Sequence, residues 1–145
     1  MNGMFKDAKD YNQSIGAWAK SSVTNMRNMF NGATAFAQVL CEFNCNGPLD
    51  TSSVASMEKM FYYAENFNQY IGDWDVSSVT TMTNMFSGAR KFNQNIGNWH
   101  VGPTVGDDNK LGVTDMGYMF YGAWNFNNDN ASFNWDTSSV TIMSY

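Results

Sequence analysis

The chain has 145 residues, the length of a single domain, and its composition is poor in charge. Hydrophobic residues make up 43%, enough for a sizeable core, whereas charged residues make up only 14% against about 25% in an average soluble domain. The net charge is −5, which argues against the basic clusters of nucleic-acid-binding or anionic-lipid-binding proteins. No apolar run approaches the roughly 20 residues of a membrane span. We therefore expect neither nucleic-acid binding nor direct membrane insertion.

One eight-residue phrase recurs along the whole chain. It reads Val-Thr-x-Met-x-x-Met-Phe at 23–30, 79–86 and 113–120. A weaker copy lies at 54–61, and a fifth begins at Val140 and stops at the last residue. Repetition with a period of about 20 to 50 residues is typical of solenoids, propellers and arrays. The repeat therefore says more about architecture than about activity.

The spacing of the copies gives the repeat length and locates two insertions. The Met-Phe pairs begin at Met4, Met29, Met60, Met85 and Met119. The base period is 25 residues, and the two longer gaps, of 31 and 34, contain the only prolines, Pro48 and Pro103. We expect one domain over 1–145 with about five coils, and insertions near 44–50 and 102–110 that form loops on one side of the stack. Both ends fall in mid-repeat, so we also expect a fragment of a longer array.

The Met-Phe segment predicts a short helix in each coil. In one copy the apolar residues have the relative offsets 0, 3, 4, 7 and 10, and they are Met82, Met85, Phe86, Ala89 and Phe92. These offsets form the stripe of a helical face. Thr80 or Thr81 is placed to cap the helix, and Gly88 to end it. We expect about eight to ten helical residues per coil, partly in 3₁₀ form.

The segment around each tryptophan predicts a short strand. In 71–79 the apolar residues stand at relative positions 1, 4, 6 and 9, which is similar to the leucine-rich pattern L-x-x-L-x-L. Copies stacked at about 4.8 Å would form a parallel ladder. The predicted fold is an α/β repeat solenoid of leucine-rich-repeat-like type. Each coil of about 25 residues would contain one short strand and one short 3₁₀ or α-helix.

A Phe-Asn-Gln phrase joins the two halves of the unit, as at 67–69 and 92–94. Asparagines in register in a stack can hydrogen-bond the backbone of successive turns, which needs such partners when it is buried. Ala37 interrupts this asparagine column. We therefore expect the second coil to be looser at Ala37.

The full phrase Phe-Asn-Gln-x-Ile-Gly-x-Trp-Asp-Val-Ser-Ser-Val-Thr-x-Met-x-x-Met-Phe resembles the repeat of BspA-type leucine-rich surface proteins. The same repeat occurs in a related domain of unknown function found in mycoplasma lipoproteins. The resemblance covers essentially the whole chain. It implies a solenoid that is exposed at a cell surface or secreted, with an adhesion or ligand-binding role and no catalytic residues. The chain departs from the pattern in its two insertions, in Cys41 at a glycine position and in Lys20 at a valine position.

The methionines and tryptophans have both a core and a functional interpretation. The eleven methionines keep a fixed phase with Phe and Ala, which favours a core role over a soft-metal site. Trp18, Trp74, Trp99 and Trp135 share one repeat position, which favours an interior row over a carbohydrate-binding platform. Trp124 is out of phase with them and is the better candidate for an exposed aromatic contact.

The remaining reactive residues do not form a catalytic constellation. Cys41 and Cys45 form either a disulfide or two unpaired thiols, and they lack the further ligands of a zinc site. The segment 107–112 faintly resembles a calcium loop, but a solvated turn is favoured because two ligand positions are missing. His100 is the only histidine, and the sequence contains no nucleophile elbow, phosphate loop or dinucleotide fingerprint. We expect no enzymatic activity, no cofactor and no metal.

The predicted function is a non-catalytic protein- or glycan-binding or adhesion module. Its contact residues would be Trp124 and a row of outward residues beside the tryptophans: Asp73, Asp75, Asn98, His100, Asn134 and Asp136. The alternative is a structural accessory subunit, packed into a larger assembly through the open ends of the stack.

Overall fold

The computed structural model describes residues 1–15, 23–40, 49–107 and 110–144. Within these ranges the one regular element is a 3₁₀ helix, Asn128–Asn130, and the β-pairing consists of four isolated parallel bridges. The described residues contain no α-helix and no strand. The predicted leucine-rich-repeat-like α/β solenoid, with one strand and one helix per coil, is therefore wrong. The chain is instead a stack of turn-rich repeats.

The segments predicted as helices are series of tight turns. In one repeat the Met85 N–H donates to the Met82 carbonyl at 3.0 Å, and the Ala89 N–H donates to the Phe86 carbonyl at 2.9 Å. Asn84 has a φ of 56° and Gly88 a φ of 73°, so the backbone enters the left-handed region twice within five residues. A right-handed helix cannot pass through such residues, because their curvature has the opposite hand. The same pair recurs as Gly3 and Asp7, Asn28 and Gly32, Lys59 and Tyr63, and Tyr118 and Gly122.

The other backbone donors of these segments bond to the next repeat. The N–H groups of Met82, Asn84, Phe86 and Gly88 donate at 2.7–2.9 Å to the carbonyls of Asp115, Gly117, Met119 and Tyr121. Equivalent ladders join 3–7 to 27–31, 26–32 to 56–62 and 57–63 to 81–87. Backbone donors therefore alternate between a turn within the repeat and the neighbouring repeat. The stack supplies the partners that a helix would have supplied internally.

The parallel pairing lies at a different place from the predicted strands. The bridges are Asn25↔Ser56, Ser56↔Thr81, Thr81↔Asp115 and Asp115↔Ile142. All these residues directly precede the first methionine of the phrase, whereas 73–76 beside Trp74 makes no bridge. One column of single-residue pairs thus runs through the repeats and holds equivalent residues in register.

The core contains two columns of stacked aromatic rings. The first is Phe5, Phe30, Phe61, Phe86 and Phe120, with neighbouring ring centroids 5.3–5.8 Å apart. The second is Tyr11, Phe36, Phe67, Phe92 and Phe126, at 5.6–6.2 Å. Within each repeat the two rings stack at 3.9–4.2 Å. The predicted core role of the methionines is wrong for Met4 and Met143, which are 50% and 63% exposed. It is confirmed for eight others, all at most 4% exposed: Met26, Met29, Met57, Met60, Met82, Met85, Met116 and Met119.

The predicted interior tryptophan row is confirmed where the structure describes it. Trp74 and Trp99 are buried, and Trp135 is partly buried with its ring stacked 6.4 Å from that of Trp99. Trp99 Nε1 donates to the Ile71 carbonyl at 3.1 Å, and Trp135 Nε1 to the Ile96 carbonyl at 2.9 Å. Each indole therefore ties its own repeat to the preceding one. Trp18 lies outside the described residues.

The predicted asparagine column is also confirmed. The side-chain oxygen of Asn12 accepts the Ala37 N–H at 3.0 Å, and that of Asn68 accepts the Asn93 N–H at 2.8 Å. Ala37 has no side-chain amide to continue the column, and Gln69 Nε2 donates to the Ala37 carbonyl at 2.6 Å instead. A hydrogen bond between repeats therefore persists where the column is broken.

The second insertion is a closed loop. The Thr104 N–H donates to the Lys110 carbonyl at 2.9 Å, and Lys110 Nζ reaches back to Ser77 Oγ at 2.7 Å. The calcium-loop candidate includes Asp108 and Asn109, which lie outside the described residues. Most of the first insertion also lies outside them, together with Cys41 and Cys45.

Candidate functional site

The six predicted contact residues beside the tryptophans lie on three adjacent repeats, and all of them are exposed: Asp73, Asp75, Asn98, His100, Asn134 and Asp136. We call this surface the polar face. The Asn134 N–H donates to the Gly97 carbonyl at 3.0 Å, and Asn134 Nδ2 contacts Asn98 Oδ1 at 3.3 Å. The structure therefore brings the last two repeats of the face into direct contact.

Aspartates on and beside the polar face bond to their own backbone turns. Asp136 Oδ1 accepts the Ser138 N–H at 2.9 Å, and Asp50 Oδ1 accepts the Ser52 N–H at 3.1 Å and the Ser52 hydroxyl at 2.7 Å. This is the Asx-turn arrangement, in which a carboxylate substitutes for a backbone acceptor. The hydrogen bonds from Ser138 lower the pKa of Asp136, and those from Ser52 lower the pKa of Asp50.

Asp75 occupies the same repeat position, in a more enclosed setting. Its partial burial acts to raise its pKa, but the hydrogen bonds from Ser77 and the charge of Lys110 outweigh burial and lower the pKa overall. The Ser77 N–H donates to Asp75 Oδ1 at 2.9 Å. The carboxylate therefore has a structural task whether or not a ligand is present.

Asp73 has a partner on its own repeat. The Tyr70 hydroxyl donates to Asp73 Oδ1 at 2.8 Å, and this hydrogen bond raises the pKa of Tyr70. The three aspartates of the polar face are thus all engaged by neighbours within three residues. Since the Asn98 and Asn134 side chains bond to each other at 3.3 Å, His100 is left as the more available member of the face.

Trp124 belongs to a second surface, which shares no lining residue with the polar face. A recess of about 260 Å³ is lined by Tyr63, Gly88, Arg90, Tyr121, Gly122 and Trp124. We call it the aromatic groove. Trp124 is 77% exposed, Tyr121 60% and Tyr63 41%. The prediction that Trp124 is an exposed aromatic residue is confirmed, and the structure adds two tyrosines and an arginine beside it.

Glycines at left-handed positions allow the backbone to form the floor of the groove. A Cβ atom on Gly88 would lie 2.8 Å from Cδ1 of Tyr63, so the Tyr63 ring lies directly against the Gly88 backbone. Tyr63 occupies the repeat position that is glycine in Gly32, Gly88 and Gly122, and it keeps their left-handed conformation with a φ of 53°. A bulky residue there costs about 1–2 kcal/mol, and such strain is concentrated at functional sites.

A charged residue joins the groove to the neighbouring repeat. The guanidinium carbon of Arg90 lies 5.0 Å from the centre of the Trp124 ring, within the range of a cation–π contact. Arg90 Nη1 also lies 3.6 Å from Glu65 Oε2. Glu65, Arg90 and Trp124 hold one repeat position in three successive repeats. The repeat thus places an acid, a base and an aromatic ring in one column.

Sequence reasoning missed Tyr63, Tyr121 and Arg90. The available signal was the comparison of equivalent positions, where Tyr63 replaces a glycine and Trp124 follows Arg90 in a column. That comparison becomes informative only once it is known which columns face outward.

A larger recess of about 580 Å³ is lined by Met116, Met119, Phe120, Trp135, Met143 and Ser144. Its residues continue the core columns of methionine, phenylalanine and tryptophan. Among the described residues, no group of three or more His, Cys, Asp or Glu side chains is arranged to hold a metal ion. The part of the chain that the structure describes also contains no helix long and apolar enough to span a membrane.

A family model described as "Mycoplasma protein of unknown function, DUF285" matches residues 1–47 and 47–145. The chain belongs to the DUF285 family. The resemblance to the mycoplasma domain that was inferred from the repeat phrase is thereby confirmed. No curated protein and no solved structure matches the chain. The DUF285 description gives no activity, so the function has to be argued from the side chains of the site.

Proposed function

We propose that this DUF285 chain is a non-catalytic binding module of a cell-surface or secreted protein, and that the aromatic groove is its ligand contact. The observation that carries the proposal is the cluster of Tyr63, Tyr121 and Trp124, three large aromatic side chains exposed around one recess. Single exposed apolar residues are ordinary, but contiguous ones mark interaction surfaces. The resemblance of the repeat phrase to BspA-type surface proteins supports an adhesion role and an external location.

The floor of the groove supports a binding role because its backbone is held in place. The Tyr63 N–H donates to the Ser87 carbonyl at 2.8 Å, and the Gly88 N–H donates to the Tyr121 carbonyl at 2.7 Å. These bonds join the three repeats that contribute to the groove. A recess built on fixed backbone loses little conformational entropy when a ligand binds, and this favours affinity.

The polar face supports the proposal less strongly. Its aspartates are already bonded within their own repeats, so a ligand would have to compete with the bonds to Ser77, Ser138 and Tyr70. Asn98, His100 and Asn134 still offer polar groups at the surface. The polar face therefore remains a predicted secondary contact for a protein or glycan ligand.

A binding experiment separates the two surfaces. The biotinylated chain is applied to arrays of immobilised proteins and glycans, beside the variant Trp124→Ala. We expect bound spots that Trp124→Ala loses and that the matched variant Tyr70→Ala keeps, since Tyr70 is also exposed but lies outside the groove. If the fourfold alanine variant of Asp73, Asp75, Asn98 and His100 abolishes binding while Trp124→Ala does not, the groove assignment is wrong.

A structural accessory subunit is the second candidate, because of the recess of about 580 Å³ lined by Met116, Phe120 and Trp135. Exposed core columns of this kind are sites where another chain can pack. Light scattering of the purified chain tests this candidate. Concentration-dependent association that the variant Met143→Glu suppresses would support a subunit role, and a stable monomer would count against it.

A further inference from the structure

We propose that the aromatic groove binds one uncharged sugar ring of a glycan, stacked on the indole of Trp124. This inference rests on the proposed function and names the ligand class of the same site. Four properties of the groove favour a sugar ring over the other ligands that aromatic surfaces bind. They are its size, its side-chain chemistry, its paired backbone and the charges already present in it.

The size of the groove restricts the ligand to about one ring. Pockets for drug-sized ligands measure about 300–1,000 Å³, whereas the groove measures about 260 Å³. Trp124 keeps 77% of its surface exposed although it lines the recess, so the recess is open to solvent. A group docked there would be covered on one face and solvated on the other. One sugar unit of a longer glycan suits such a site, because the rest of the glycan must continue into solvent.

The side chains around the groove combine flat apolar faces with hydrogen-bonding groups. Tyr63, Tyr121 and Trp124 each present an aromatic ring together with one hydroxyl or indole N–H group. Edge-on contacts hold the two tyrosines, since Tyr62 lies 4.6 Å from Tyr63 and Tyr118 lies 6.1 Å from Tyr121 between ring centres. A pyranose ring has a face of C–H groups and a rim of hydroxyls. The C–H face matches the aromatic surface, and the rim matches the hydroxyl and N–H groups.

The paired backbone disfavours an extended peptide. Peptides that add to a sheet edge bind through unpaired backbone N–H and carbonyl groups. On the floor of the groove, however, the Gly88 N–H is taken by the Tyr121 carbonyl and the Ser87 carbonyl by the Tyr63 N–H. These pairs leave less of the floor's backbone open to a peptide than a free sheet edge would, so recognition comes mainly from side chains.

The charges in the groove disfavour both anionic and quaternary ammonium ligands. A quaternary ammonium docked in the groove would be repelled by the cationic guanidinium of Arg90, whose central carbon lies 5.0 Å from the centre of the Trp124 ring. An anion would need the free charge of Arg90, which Glu65 at 3.6 Å partly neutralises. Arg90 keeps 48% of its side chain exposed, so its N–H groups are available to sugar hydroxyls.

Saturation-transfer NMR on the full chain tests the inference, with methyl β-glucoside, methyl β-galactoside, methyl α-mannoside and N-acetylglucosamine as probes. At least one probe is expected to bind with a dissociation constant on the order of 1 mM, because an open one-ring site makes few contacts. Its strongest signals should come from the C–H protons of one ring face. Trp124→Ala should weaken binding at least tenfold, whereas Tyr70→Ala should leave it unchanged.

The array experiment covers sugars outside this panel, and a library of immobilised peptides gives the contrasting outcome. Glycan binding that depends on Trp124 supports the inference. Peptide binding that depends on Trp124, without any glycan binding, overturns the sugar ring and leaves the proposed binding module intact. If neither class binds in a manner that depends on Trp124, both proposals are overturned. Thermal unfolding of Trp124→Ala should match the parent chain, because substitution of an exposed residue alters stability by about 0.5 kcal/mol or less.

Discussion

The polar face and the aromatic groove are both exposed, but their side chains are engaged differently. On the polar face, Asp75 and Asp136 close the turns that they begin, and Asp73 accepts a hydrogen bond from Tyr70. In the groove, Trp124 and Tyr121 remain mostly exposed, and Tyr63 is held in a strained backbone conformation. Exposure alone therefore does not identify a binding residue. The better criterion is whether the groups of the side chain are already used by the fold.

This difference leads to a general expectation. Changes on the polar face should lower stability and leave ligand binding nearly intact, because its aspartates are already bonded within the fold. Changes to the groove walls should lower binding and leave stability nearly intact. Four variants or conditions test this separation, in order of the expected effect on the free energy of unfolding.

Phe86→Ala should lower both stability and ligand binding, because the polar face and the aromatic groove both pack on the aromatic columns. Phe86 is completely buried and stacks on Phe61, Phe92 and Phe120. Its loss should reduce the free energy of unfolding by about 3–5 kcal/mol. Urea denaturation measures the change. The control is Phe133→Ala, at a residue that is 47% exposed and outside both columns, which should cost clearly less. Equal losses for the two variants would contradict the role assigned to the columns.

Gly88→Ala is the groove substitution expected to affect stability and binding together. A left-handed alanine costs about 1–2 kcal/mol, and the new methyl group would meet the Tyr63 ring at 2.8 Å. The matched control is Gly106→Ala, where φ is also positive at 87° but nothing lies within 4 Å of the new atom. The control measures the cost of a left-handed alanine alone, without the contact between the new methyl group and Tyr63. Thermal unfolding should show the larger loss for Gly88→Ala, and only this variant should weaken ligand binding.

Acid should destabilise the chain through the Asx turns. The pKa values of Asp50, Asp75 and Asp136 are lowered in the folded state, so their stabilisation is present above the unfolded value of about 3.9. It is lost as the pH falls through the lower folded values. Urea midpoints measured between pH 6 and pH 2.5 should therefore fall below about pH 4.

The triple variant Asp50→Asn, Asp75→Asn and Asp136→Asn is the control for the acid effect. Asparagine keeps a side-chain acceptor for the turn but does not titrate. Its urea midpoint should depend less steeply on pH in the acid range than that of the parent chain. Identical pH profiles would mean that the turns do not couple to protonation.

Tyr63→Gly should produce the smallest change in stability and the clearest separation of stability from binding. Glycine relieves the left-handed strain, which offsets the lost contact of the Tyr63 ring with Gly88. The free energy of unfolding should change by less than about 1 kcal/mol, in either direction. Ligand binding should fall, because one wall of the groove is removed. A large drop in the unfolding temperature would instead make Tyr63 a structural residue.

The sequence predicted which residues are buried much better than it predicted the backbone. The fixed phases of Met85, Phe86 and Phe92 correctly indicated core positions, as did the shared position of Trp74 and Trp99. The apolar offsets 0, 3, 4, 7 and 10 predicted a helix because they also describe a helical face. A series of turns with two left-handed residues presents the same side of the chain to the core. The decisive hydrogen bonds join different repeats, and no pattern local to one repeat reports them.

The candidate site was predicted only in part, for a related reason. Trp124 stood out because it broke the phase of the other tryptophans. Tyr63 and Arg90 lie on other repeats, 61 and 34 residues before Trp124, and only the stacking brings them to the same recess. The residues of the polar face were predicted to point outward because they alternate with the buried tryptophans along the chain. That reasoning found exposed residues but did not detect that Asp75 and Asp136 close their own turns.

Because equivalent residues of successive repeats stack in register, the number of repeats from Tyr63 to Trp124 sets the width of the groove. Tyr63 lies on the first of three consecutive repeats and Trp124 on the third, while Gly88 and Arg90 lie on the one between. Removal of the middle repeat would let both phenylalanine columns close up by one ring, with each new pair chemically identical to the old one. The groove would lose its arginine and about 5 Å of its width in the same step. A duplication or deletion of one unit would thus alter the ligand surface while the core remained intact.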